Sequence, residues 1–142
     1  MAKLTVNEAS STFTHVYTID YVDLIALGTA GQVTIATIPA GGAVELVVVD
    51  ESVAFAGSST VVIDVGTTSA DPDEFIDALD VDAMTVPVIN TGDLFTSNYT
   101  QAVKPVASAT PIILELTDAN IATATAGELT IGIRILDLRQ FA

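Results

Sequence analysis

Cysteine and tryptophan are absent from this 142-residue chain, histidine occurs once, and lysine and arginine together number four. Without Cys there is no disulfide framework, no thiolate metal site and no thiol nucleophile, and nothing in the sequence marks a redox compartment. A single histidine, His15, removes multi-histidine metal centres and leaves a Ser-His-Asp arrangement only if His15 is its base. Flanked at alternate positions by Phe13 and Tyr17, His15 reads as a packed or interfacial residue. The missing Trp removes the indole platforms of sugar-binding modules, for which Tyr17, Tyr21 and Tyr99 substitute only in part. The four cations are Lys3, Lys104, Arg134 and Arg139, so none occurs from Leu4 to Val103. Against 18 acidic residues they leave a formal charge of -14. Nucleic acid and anionic membrane surfaces therefore find no basic patch to bind.

What the chain has is apolar residues, which make up 50% of it against 15% charged, with a mean hydropathy of +0.58. A membrane-crossing helix needs about 20 continuous apolar residues, and here Asp, Gly, Pro or Thr breaks every run within a few positions. Met1 to Glu8 lacks the apolar core of a secretory signal, so the expectation is a soluble protein made and kept in a cytoplasm during assembly. One domain spanning 1–142 fits the length, and folding at this size buries roughly 68% of the unfolded surface. So much apolar area in a small domain hints at contacts between subunits.

Apolar and polar residues alternate in short segments, the period of half-buried strands. Phe13, His15, Tyr17 and Ile19 share one face of 12–20, and Val33 and Ile35 alternate with Gln32 and Thr34. Val61, Ile63 and Val65 form a third face, and 111–118 and 128–138 complete the strong set. Weaker strands are expected in 84–90 and 95–106. Gly28-Thr-Ala-Gly31, Pro39-Ala-Gly-Gly42 and Ala126-Gly127 lie between strands and read as turns, not as phosphate loops. About eight strands imply an all-β sandwich or jelly roll, with Greek-key connections as the common plan.

The spacing predicts one short helix over 71–80: Asp71 suits the N-cap, Pro72 the first helical position and Glu74 the capping box, with Phe75, Ile76 and Leu79 sharing a face. Its acids, Asp71, Asp73, Glu74, Asp77, Asp80 and Asp82, are of the type that binds calcium, but the glycine of an EF-hand loop is missing, and a solvated acidic face is the expectation. No pair of carboxylates is singled out for glycoside hydrolysis, and Asn98-Tyr-Thr100 matches the glycosylation pattern without a signal peptide to go with it. The expectation is accordingly a non-enzyme with no cofactor and no metal.

Val44 to Asp50 is apolar on both faces. Strict alternation sends Val44, Leu46 and Val48 into the core and leaves Val47 and Val49 for a second cover, a candidate oligomer interface.

The order of these segments resembles small decoration (cement) proteins on the heads of tailed bacteriophages. The residues that carry it are Phe13-Thr-His-Val-Tyr-Thr, Val33-Thr-Ile-Ala-Thr-Ile-Pro-Ala-Gly41 leading into Val44-Glu-Leu-Val-Val-Val, Ser59-Thr-Val-Val-Ile-Asp-Val-Gly66, Asp71-Pro-Asp-Glu-Phe-Ile, and Ala122-Thr-Ala-Thr-Ala-Gly-Glu-Leu-Thr-Ile-Gly-Ile133. The resemblance implies a β-sandwich subunit that forms homotrimers on the capsid exterior and braces the major capsid proteins, with no catalytic residues. Lys3, Lys104, Arg134 and Arg139 are then candidate capsid contacts. Two other readings stand beside it: a carbohydrate-binding or fibre and tail accessory module, and an acidic oligomeric chaperone for basic proteins.

Overall fold

The computed structural model describes residues 2–6, 12–58, 60–96 and 105–139. Its nine strands are β1 (Lys3–Val6), β2 (His15–Asp20), β3 (Gln32–Ile38), β4 (Gly42–Ala56), β5 (Val62–Gly66), β6 (Ile76–Asp80), β7 (Val88–Ile89), β8 (Thr110–Thr117) and β9 (Ala126–Asp137). They form a five-stranded sheet in the order β1-β2-β9-β4-β7 and a four-stranded sheet in the order β3-β8-β5-β6. Every pairing is antiparallel. From β2 onward the chain changes sheet at every connection except β5 to β6, which wraps eight strands as a jelly roll, with β1 added beside β2.

Alternation puts one face of each sheet into a shared core. Ile19, Val47, Val49, Leu129, Ile131 and Ile133 come from the five-stranded sheet, and Ile35, Ile38, Ile63, Val65, Leu114 and Leu116 from the four-stranded one, all essentially without solvent exposure. Each such side chain contributes about 1.5–3 kcal/mol relative to an exposed one.

Two interruptions of the period correct the sequence reading. In β4 the register slips between Val44 and Leu46, and from there the pairs are Leu46 with Arg134, Val47 with Ile133 and Val49 with Ile131. A one-residue slip exchanges the two faces of a strand. Val47 and Val49, expected at an interface, are therefore core residues with 0% exposure, and Leu46 and Val48 take the outward positions. Asn90 holds the slip in place: its Oδ1 accepts from the Val47 N–H at 2.8 Å and its Nδ2 donates to the Glu45 carbonyl at 3.2 Å. A similar slip in β3 turns both Ile35 and Ala36 inward.

The helix expected over 71–80 is not there. Residues 71–75 form a loop, and β6 begins at Ile76. Phe75 N–H donates to the Val65 carbonyl, and the carbonyls of Asp73, Glu74 and Phe75 accept from Asp93, Leu94 and Gly92. Those groups are thus spent on neighbours distant in sequence, and Glu74 accepts from the Thr67 N–H and from the Thr67 and Thr68 hydroxyls instead of closing a capping box. Among the described residues the helix of more than one turn is α1, Tyr21–Leu27. Asp20 caps it by accepting from the Asp23 N–H at 3.0 Å, Gly28 ends it at φ 86°, and Leu24 anchors it in the core. A shorter turn of helix, α2, covers Asp93–Thr96.

Candidate interaction surface

The outward positions of the five-stranded sheet follow from its register. Thr5, Val16, Gly132, Val48 and Ile89 fall in one row that crosses all five strands. Gly132 is covered by the Phe13 ring, since a Cβ on Gly132 would lie 2.7 Å from a ring carbon. Phe13 thus leaves the inward face expected for it and lies on the outer one. Val16, Val48 and Phe13 are half-buried, Ile89 is 55% exposed, and Val86 just before β7 is 67% exposed. On one side this apolar row is flanked by Thr18, Thr130 and Asp50, and on the other by Leu46 and Arg134.

The outward face of the four-stranded sheet has the opposite chemistry. Asp64 pairs with Glu115, Glu115 with Gln32, and Val62 with Asp80 and Thr117. The loop 67–74 folds over one end of this face, where the missing side chain of Gly66 leaves room for Pro72 and Glu74. Gln32 Nε2 ties the loop to the sheet by donating to the Ser69 carbonyl at 2.7 Å, and it also donates to Glu115. Burial, reinforced by Asp77, Glu115 and Asp71, holds the Asp64 carboxyl above its ordinary range. Burial with Asp71 and Asp93 nearby raises that of Asp73. Among the described residues no cation is paired with Asp64, Asp71, Asp73, Asp77 or Glu115.

Of the sequence-picked cations, Arg134 and Arg139 have described side chains, and each lies against a carboxylate of its own. Arg134 lies on the outer face of the five-stranded sheet, its Nε 3.1 Å from Glu45 Oε2, with side chains 43% and 42% exposed. The contact is electrostatic and not an aligned hydrogen bond, and at that exposure such a pair contributes at most about 1 kcal/mol. Arg139 is paired with Asp137, which it holds at about 2. Lys3 is the residue paired with Thr18 in the backbone register, and Lys104 lies outside the described residues, as does Tyr99.

The sequence-picked polar side chains that are described lie apart from one another. His15 is half-buried at the edge of the sandwich, its Nδ1 3.0 Å from the Thr14 hydroxyl, and burial lowers its pKa. Tyr17 is in the core and Tyr21 opens α1. Among the described residues no three His, Asp or Glu side chains are arranged to hold a metal ion. A cleft of about 530 Å³ between the sheets is lined by Ile38, Val44, Phe75 and Leu94, and its one carboxylate, Glu74, is already held by Thr67 and Thr68.

No protein-family model matches the sequence, and comparison with curated proteins finds no match either. Among solved structures the chain is similar to a chain of the cyanophage Pam1 capsid asymmetric unit. The likeness is one of fold. It has a TM-score of 0.57 at 16% identity and covers 93% of this chain and 91% of that one, so the two chains are of closely similar length and are alike nearly throughout. The signal for the outer-face residues was present in the alternation of β4 and β9, but their side could not be assigned without the slip at Glu45.

Proposed function

We propose that this protein is a virion structural protein, a decoration protein that binds the exterior of a phage head as a homo-oligomer, with three copies the expected number. It stabilises contacts between major capsid proteins and catalyses nothing. The observation that carries this reading is the similarity, over nearly the whole of both chains, to a chain of a phage capsid asymmetric unit. An outward sheet face crossed by an apolar row in a chain of charge -14 supports it, because such a row is suited to covering by another protein. Many copies on one particle turn individually weak contacts into firm attachment. On this reading the protein is made in the host cytoplasm and works on the capsid surface.

The test is co-sedimentation of the purified protein with head shells of the phage that encodes it, prepared without it. Saturable binding in a fixed ratio to shell subunits is expected, together with a higher temperature of shell disruption. Shells that sediment without the protein at all concentrations would refute the proposal.

A further inference from the structure

The geometry points to the outer face of the five-stranded sheet as the surface that lies on the head shell, with the acidic four-stranded sheet turned to solvent. This inference rests on the decoration reading and adds which face docks and what it meets: a flat, weakly charged protein surface.

Two observations select the face and its occupant. First, the two outer faces differ in what crosses their middle, an apolar row on the five-stranded sheet and carboxylates on the four-stranded one. The four-stranded sheet turns out Asp64, Glu115 and Asp80, with Asp71 and Asp77 close enough to act on Asp64, and docking it would strip water from carboxylates that no described cation neutralises. The five-stranded sheet turns out Val16, Val48 and Ile89, with Phe13 over Gly132, and its Glu45 is already matched by Arg134. Covering the apolar row removes apolar surface from water, while the outward carboxylates of this sheet, Asp50 and beyond it Asp20 and Glu128, lie toward one end and stay at the rim of the contact.

Second, the apolar patch is small. The row with the outward position on either side of it, about five residues of 3.4 Å along strands about 4.8 Å apart, spans roughly 400 Å². A stable free complex buries about 800 Å² per partner, so this patch is about half of what two copies meeting in solution would need. It suffices where many copies lie on one fixed surface. The occupant is therefore the shell, and contacts between copies use other surfaces.

The experiment compares Val48→Glu and the milder Ile89→Glu with a triple variant of the other sheet, Asp71→Asn, Asp77→Asn and Glu115→Gln. Each is read by co-sedimentation with shells lacking the protein and by solution mass. Melting curves identify any misfolded variant, and Ile89→Glu, at an exposed position on a two-residue edge strand, keeps the test open if Val48→Glu is lost. The expected result is that both face variants lose shell binding about ten-fold or more, as interface centres do, at unchanged mass, while the triple variant binds like the wild type. Loss of binding by the triple variant alone would mean that the acidic sheet docks. A fall in mass for Val48→Glu would mean that the face joins copies. Either result overturns the inference, as does undiminished binding by the face variants. Failure of the wild type to bind would instead refute the decoration reading.

Discussion

The two sheets of the sandwich bury similar inner faces of Ile, Leu and Val, and set different chemistry across the middle of their outer faces. The four-stranded sheet shows Asp64, Glu115 and Asp80 and is partly roofed by the acidic loop 67–74. The five-stranded sheet shows a row of Val16, Val48 and Ile89 with the Phe13 ring across Gly132. The inner faces answer to folding alone, since any apolar set of the right volume fills a core. The outer faces are where a sequence is free to differ, and this one sets carboxylates across the middle of one and an apolar row across the middle of the other. That sorting assigns the two sides different surroundings.

The largest expected effect breaks the roof of the acidic side. A Cβ on Gly92 would lie 2.4 Å from backbone atoms of Glu74 and Phe75, where nothing flexible can yield. Gly92→Ala should destabilise by about 3 kcal/mol or more, the range for severe core disruption, measured as a fall in the urea midpoint.

Next comes the inside and outside of β4. Val47→Ala should cost about 2 kcal/mol and Val48→Ala less than about 1, since only the first opens a cavity in the core. Equal costs would contradict the placement of the slip. Asn90→Ala sharpens the same point. It removes the hydrogen bonds to Val47 N–H and the Glu45 carbonyl and should cost about 1–3 kcal/mol, with amide exchange accelerated at Val47 before the rest of β4.

The smallest effect is the pH response of the acidic side. Asp64, Asp73 and Asp82 have raised folded pKa values, so just above the ordinary carboxylate value near 3.9 the folded chain binds more protons than the unfolded one, and stability rises as pH falls toward that range. His15 opposes them: burial lowers its pKa, and its stabilisation is lost as pH falls below about 6.5. Asp20, lowered chiefly by the Asp23 N–H, and Asp137, at about 2, stabilise above the ordinary carboxylate value and lose this as pH falls through their folded values. Melting temperature should therefore change more favourably as pH falls from 7 to about 5 in His15→Asn than in the wild type. Added salt should shrink the effect by screening the acids.

Much of the fold is legible in the sequence because period 2 is a local signal: β2, β3, β5, β8 and β9 fall where alternation places them. The errors come from non-local partners. The capping residues at 71–74 promise a helix, but Val65 and 92–94 take the backbone groups a helix would need. Conversely, α1 carries Asp20 and Gly28 as start and stop signals, hidden because Tyr21–Leu27 continues the apolar pattern of β2. The candidate interface failed by one residue. Alternation in 44–50 shows that two faces are apolar, but the slip that exchanges them is fixed by Asn90, some forty residues away. The strand before Val106 was expected in residues that fall mostly outside those described; α2 occupies Asp93–Thr96 at the start of that span.

The most direct test of the central claim is an electron cryomicroscopy map of head shells mixed with the purified protein, at a resolution that separates the two sheets. The account predicts sandwich-shaped density on the shell exterior with the five-stranded sheet toward the shell and the Asp64–Glu115 side facing solvent. Bare shells, or density with the four-stranded sheet against the shell, would contradict it.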